Sequence, residues 1–419
     1  MRRLVGRIAV DTRGLRESRD FRLLTIGSVV TGLGTQAALV ALPYQVYVTT
    51  GSAFLTGLLG AVELGPLVAL SLFGGALADR FDRRRLMLAT QVALVAVASG
   101  LAAAALAGTP QLWLLYVLAG LSTAAAAVER VTGSAMVPNL VRPERLRGAL
   151  ALTFGLYNVT QVVGPAAGGL LIAAAGVQGA YIADAVTCAG MVLPVYLMRP
   201  QPPKLEDAEE REPIFRSIAT GLRFVRQERA LVGSFVIDLC AMTFGMPRAL
   251  FPVLSLTVYH AGASGTGALF SAVAAGATVA ALTTGWLEHA RWLGRIVLGA
   301  VSVWGIAIAA AGVTGELIIA VVLLAVAGAA DSVSAVCRST ISQTLTPDRL
   351  RGRMSSVFSL VVASGPRLGD IESGTVAAVA TPRASVISGG LACLASVGLV
   401  AMLFPELARY DGQKVEARA

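Results

Sequence analysis

Histidine is nearly missing from this chain, with two in 419 residues, and the four cysteines show no C-x-x-C spacing. His260 and His289 stand far apart, while Cys188, Cys240, Cys337 and Cys393 all fall inside apolar segments. That scarcity leaves no constellation to hold a metal or to activate a nucleophile, and small buried hydrophobes are the natural reading of the cysteines. No G-x-x-x-x-G-K-[ST] occurs, so no nucleotide site is built in and ATP is not expected as a partner. Charge is scarce as well. Only 14% of residues are charged, where soluble domains carry about 25%. No cleavable signal peptide is visible, because residues 1–22 hold seven arginines and no apolar core.

What is present is apolar. The chain is 55% hydrophobic, with a mean hydropathy of +0.72. Apolar segments run over approximately 21–48, 53–78, 86–107, 111–137, 149–175, 178–198, 230–259, 264–287, 293–313, 316–343, 354–379 and 383–405. A spanning helix needs about twenty apolar residues. Lipid offers separate spans no other way to satisfy their backbone groups. The expectation is an all-α membrane protein of about twelve transmembrane helices.

The connectors alternate in charge. Those after the second and fourth segments carry Arg80, Arg83, Arg84, Arg85 and then Arg142, Arg145, Arg147. Those after the eighth and tenth carry Arg291, Arg295 and then Arg349, Arg351, Arg353, and only Arg383 breaks the pattern. Arginines in short loops are retained inside, which predicts a multi-pass protein of the plasma (inner) membrane with both termini cytoplasmic. The net charge of +9 therefore reports topology and is no nucleic-acid footprint. Domains follow: an N-terminal arm over 1–20, a six-helix bundle over 21–198, a linker over 199–229, a second bundle over 230–405 and a tail over 406–419. In the linker, Phe215, Ile218, Leu222 and Val225 recur at helical spacing, predicting an amphipathic surface helix.

The halves repeat. Arg142-Pro-Glu-Arg-Leu-Arg-Gly148 matches Thr346-Pro-Asp-Arg-Leu-Arg-Gly352, and the same offset places Pro43 over Pro247. Six helices followed by six of the same orientation form a parallel repeat. A worn second copy of the first charged loop survives at Gly285–Arg291 without its aspartate–arginine pair.

That first charged loop, Gly75-Ala-Leu-Ala-Asp79-Arg80-Phe-Asp82-Arg83-Arg84-Arg85, resembles the loop between helices 2 and 3 of the major facilitator superfamily of secondary transporters. Asp82 stands where that family more often has glycine. The resemblance implies two six-helix bundles that rock about a site near the membrane midplane. It also implies a gating latch of Gly75, Asp79, Arg80, Arg83 and Arg84, with Asp79 meeting Arg130 and the start of the eleventh segment at Met354–Phe358. Gly155, Gly164, Pro165, Gly168 and Gly169 in the fifth segment resemble the motif of the family's drug/proton antiporters, which tilts the direction toward export. Arg19-Asp-Phe-Arg22, Gly32-Leu-Gly34, Asp238–Pro252 and Gly369-Asp-Ile-Glu-Ser-Gly374 look like the enterobactin-exporter branch.

Ionisable groups within apolar segments are expensive and are functional candidates by default. They are Glu63, Asp184, Asp238, Asp331, Arg338, Arg367, Asp370 and Glu372. Proton coupling needs a carboxylate facing the cavity, with Asp238, Asp331, Glu63 and Asp184 as candidates. Arg367 and Asp370, three apart, can neutralise one another. Gln36, Tyr44, Tyr47 and Arg338 offer surface to a cargo. The expected function is a proton-coupled exporter of a small amphipathic molecule such as a siderophore or drug. It would act as a monomer, with the proton gradient and no cofactor. An importer or facilitator of the same fold, or a non-transporting sensor, are the alternatives.

Overall fold

The computed structural model describes the backbone of residues 13–108, 110–202, 214–347 and 350–412. Side chains 13, 71–76, 78–79, 214–219, 221, 288–289, 351–353 and 355–356 lie outside the description. Among the described residues all regular structure is helical. The helices are α1 Arg13–Glu17, α2 Arg19–Thr50, α3 Ala53–Arg80, α4 Arg83–Leu106, α5 Leu112–Leu140, α6 Leu146–Leu197, α7 Ile214–Gln227 and α8 Arg229–Gly245. They continue as α9 Phe251–Thr257, α10 Gly262–Thr283, α11 Leu293–Val313, α12 Leu317–Leu345, α13 Arg351–Val379, α14 Pro382–Leu403 and α15 Pro405–Ala408.

Some helix starts are written in single residues. Asp82 caps α4, its Oδ1 accepting from the Arg85 amide at 3.0 Å. Thr381 caps α14 by accepting from the Ala384 amide at 3.1 Å, with Pro382 in the first turn. In each case a side-chain oxygen takes an amide that the helix itself leaves without a partner.

Among the described residues ten helical stretches are long and apolar enough to cross a membrane, with α8 and α9 counting together as Arg229–Thr257. They do not match the expected twelve segments one for one. The fifth and sixth segments share one continuous run that leaves helical geometry only at Gly176 (φ 72°, ψ 177°), a left-handed conformation that suits glycine. Its 52 residues would reach about 78 Å as one straight helix, far beyond a hydrocarbon core of about 30 Å. The eleventh segment, α13, carries Arg367, Asp370 and Glu372 in its middle turns and is not among the ten.

The seventh segment corrects the expectation of an unbroken helix over 230–259. α8 stops at Gly245, a 3-10 turn covers Arg248–Leu250, and α9 resumes at Phe251. Pro247 has no amide to donate and its ring disfavours a continued helix. Its counterpart in the repeat, Pro43, lies inside the unbroken α2.

By its contacts the chain divides into two compact units. One is Met1–Ala41 with Ala69–Glu209, the other Leu42–Val68 with Glu210–Ala419. The first has a core that includes Phe21, Met87, Met136, Met191 and Val195, each at most 1% exposed. In the second, Ile237, Leu250, Phe251, Trp304 and Ile341 are buried together. α7 is the expected linker helix, and Val225 joins the second core. Leu222, however, is 44% exposed, so Phe224 and Val225 form the inward side instead. Phe215 and Ile218 lie outside the described side chains. Past α14 the chain stays packed, with Leu407 and Tyr410 buried and Arg291 Nε bonding Asp411 Oδ2 at 2.9 Å.

Candidate functional site in the buried charges of the helices

Asp331 and Arg338 are two turns apart on α12, which puts them on one face of the helix. Arg338 Nη2 lies 3.4 Å from Asp331 Oδ1, and Nη1 contacts Asp238 Oδ1 on α8. The three form one cluster of graded exposure: the Asp331 side chain is 34% exposed, those of Asp238 and Arg338 only 4%. Asp238 Oδ2 and Arg338 Nε are buried without a hydrogen-bond partner among the described residues. Arg338, a candidate cargo contact from sequence, is thus the internal counter-ion of two candidate proton carriers. Sequence spacing could pair it with Asp331, but only the fold brings in Asp238.

A second cluster joins α3, α13 and the turn after α8. Arg367 Nη2 meets Glu63 Oε2 at 2.7 Å, and its Nη1 lies 3.8 Å from Asp370 Oδ2. Arg248 Nη2 is 3.9 Å from the same oxygen, while the Ala249 amide donates to Asp370 Oδ1 at 2.9 Å. Arg367 therefore does meet Asp370 along the helix, yet its shorter partner is Glu63. Glycines make this crossing possible. A Cβ on Gly57 would strike the Asp370 carbonyl and Gly374, and one on Gly60 would strike the Arg367 carbonyl. Arg248 was not foreseen; its one sign in the sequence is an arginine beside a proline inside an apolar segment.

The carboxylates of the first unit are held differently. Asp184 is 6% exposed and accepts from Thr35 Oγ1 at 3.1 Å and from Cys188 Sγ at 3.5 Å. Glu129 on α5, missed in the sequence reading, accepts from Gln91 Nε2 at 2.8 Å. Its sign was an acid beside Arg130 within the fourth apolar segment. Of the five antiporter-motif positions, Gly164 and Gly168 carry a helix contact. A Cβ at either would collide with Gln36 or Ala37 of α2. Pro165 and Gly169 are buried, while Gly155 faces open space. Gln36 is 7% exposed against Gly164; Tyr44 and Tyr47 are half-buried, Tyr47 against the core of the second unit.

The expected latch is described only in part. Asp79 lies outside the described side chains, as does Gly75 apart from its place in α3, so their contacts are not described. Arg80 and Arg130 are exposed, and neither forms an ion pair among the described residues. Arg83 Nη1 donates to the Ala135 carbonyl at 3.0 Å. Arg84 Nε donates to the Val195 carbonyl at 3.2 Å, Nη2 donates to the Tyr196 carbonyl, and the guanidinium lies 5.4 Å from the Tyr196 ring centroid. Asp82 has a second role, accepting from the Gln201 amide at 2.9 Å. These arginines tie α4 to α5 and α6. Two clefts, of about 540 Å³ beside Arg19, Arg142 and Arg199 and about 390 Å³ beside His260 and Arg383, contain none of the candidate residues.

Comparison with known proteins adds to this geometry. The family model described as transmembrane secretion effector matches residues 15–419. The chain is 29% identical to the enterobactin exporter EntS of Shigella boydii serotype 4 (strain Sb227) over 397 residues, covering 94% of each. It shows the same identity and coverage with EntS of Escherichia coli O139:H28 (strain E24377A / ETEC). Among solved structures it resembles the nucleoside transporter NupG (TM-score 0.72, 14% identity, covering 93% of this chain and 99% of that one). It also resembles a bacterial homologue of the human lysosomal transporter Spinster (TM-score 0.70, 15% identity, covering 93% and 98%). These relatives are named as transporters, and the solved structures share the fold. The chain belongs to the transmembrane secretion effector family, within the major facilitator superfamily of secondary transporters.

Proposed function

We propose that the protein is a proton-coupled exporter of a small amphipathic molecule, working by alternating access in the plasma (inner) membrane with both termini in the cytoplasm. The single observation that carries this reading is the cluster of Asp238, Arg338 and Asp331. A charge at the bilayer centre is costly unless neutralised, so one guanidinium between two carboxylates leaves a net negative site that a proton can complete. With Asp331 protonated, Arg338 is left to Asp238 alone; with Asp331 ionised, the guanidinium is shared between α8 and α12. Proton occupancy thereby changes what ties these helices together, which is the differential interaction that any coupled conformational change requires. The likeness to enterobactin exporters supports export and suggests a siderophore as cargo. The test uses inside-out membrane vesicles from cells producing the protein, with radiolabelled enterobactin as probe. An inside-acid gradient is expected to drive accumulation that collapses when a protonophore is added. Accumulation indifferent to the gradient would overturn the coupling.

A further inference from the structure

The two units hold most of their buried acids by different chemistry, the exception being Glu372 of the second unit, whose Oε2 is buried with no hydrogen-bond partner among the described residues. In the second, the carboxylates of Asp238, Asp331, Glu63 and Asp370 all lie within 4 Å of a guanidinium nitrogen. In the first, Glu129 and Asp184 meet no cation within ion-pair distance among the described residues; their partners are an amide, a hydroxyl and a thiol. Glu129 lies about 16 Å along α5 from Leu140, well into the apolar length of that helix. Neutral donors orient a carboxylate but do not cancel its charge, and hydrocarbon penalises what remains.

The partner of Glu129 carries the second observation. Gln91 is fully buried, and while its Nε2 donates to Glu129 Oε1, its own Oε1 is buried with no partner among the described residues. A buried amide with one end unused is expensive, unless that end has another use. An ionised Glu129 can only accept, whereas a protonated one carries an O–H to donate. Half a turn of the Gln91 amide about its last bond exchanges Nε2 for Oε1, so the one hydrogen bond between the pair is kept in the protonated state, with Nε2 then the open end. We propose that Glu129 and Gln91 form a proton-binding pair in the first unit, with the Gln91 amide turning to match the protonation state of Glu129.

The step is a simple proton addition. The carboxylate oxygen takes a proton from water and becomes the donor, Gln91 Oε1 becomes the acceptor, and nothing else changes hands. Glu129 is half-buried and Gln91 is fully buried beside it. Other titratable or charged groups in the first unit near this pair are Asp184 and Cys188 on α6 and Arg130 beside it on α5, with Tyr181 near Asp184. Arg130 is exposed, and Cys188 bonds Asp184. This proposal rests on the proton-coupled reading by adding a second proton site to it.

The test is infrared difference spectroscopy of the full chain in lipid nanodiscs, stepping pH without cargo or gradient. A carboxylic-acid carbonyl band is expected that vanishes in Glu129→Gln and persists in Asp184→Asn and Asp331→Asn. In Gln91→Leu it should persist at a changed frequency, because its hydrogen-bond partner is gone. Isotope-labelled glutamate in the unsubstituted chain should shift the same band, which covers a variant that fails to fold. No glutamate band in the labelled chain, or a band untouched by Glu129→Gln, would overturn the proton site; an unchanged frequency in Gln91→Leu would overturn the role of the amide. If the bands behave as expected but enterobactin accumulation ignores the gradient, the coupling reading fails and the proton site stands.

Discussion

Arg367 Nη2 stands 2.7 Å from Glu63 Oε2, joining two helices that lie far apart in the chain but within one compact unit. Both side chains are largely buried, at 17% and 14% exposure. Removing one member of such a pair strands the other in a medium that cannot solvate it, a loss of about 3–5 kcal/mol, whereas removing both is far less damaging. Glu63→Gln alone should therefore lower the thermal midpoint of the detergent-solubilised protein more than Glu63→Gln combined with Arg367→Gln. Equal or larger loss in the double variant would mean the pair contributes nothing as a pair.

Gly164 and Gly168 predict a graded result within one motif. Each sits where α2 leaves no room for a Cβ, while Gly155 faces open space. Overpacking a close contact costs about 1–3 kcal/mol. Gly164→Ala and Gly168→Ala should reduce the yield of folded protein in size-exclusion chromatography, and Gly155→Ala should not. A loss confined to Gly155→Ala would contradict the packing account and return that position to a functional role.

The arginines of the charged loop should not be interchangeable with lysine. Arg84 reaches two carbonyls and stacks on Tyr196, a planar multi-donor geometry that an ammonium cannot copy. Arg84→Lys should cost about 1–3 kcal/mol in thermal stability, while Arg80→Lys, at an exposed position, should be silent. A silent Arg84→Lys would show these contacts to be dispensable.

Asp82 offers a separate check at the same loop. Both Asp82→Ala and Asp82→Gly lose the bond from the Gln201 amide, but as the α4 cap Asp82 accepts from the Arg85 amide, so the alanine variant should be the less stable of the two by about 0.5–1 kcal/mol. Thermal midpoints of the two variants decide it: indistinguishable values would remove the cap from the account.

Much of this fold was legible as pattern, because lipid forces long apolar segments into helices and arginine marks the connectors. The repeated Arg142–Gly148 and Thr346–Gly352 loops and the Gly75–Arg85 loop pointed to the family before any geometry. What stayed hidden depends on contacts between segments. Arg338 looked like a cargo contact because no spacing rule joins residue 338 to residue 238. Gln91 was invisible because an amide in an apolar run has no signature until Glu129 stands opposite it. Pro247 was misread because proline is accommodated within some membrane helices and ends others: Pro43 lies inside an unbroken helix, while its match in the repeat, Pro247, follows the end of one. Gly176 shows the reverse case: the expected break between the segments 149–175 and 178–198 is in the right place but shrinks to one non-helical residue.

The central claim is that protons move against cargo through the cluster held by Arg338. Proteoliposomes loaded with enterobactin and an internal pH-sensitive dye test it most directly. Outward flow of enterobactin through the unsubstituted protein should acidify the interior, and Asp331→Asn and Asp238→Asn should release enterobactin with little acidification. Enterobactin efflux with no change of internal pH, or full acidification in both variants, would contradict the account.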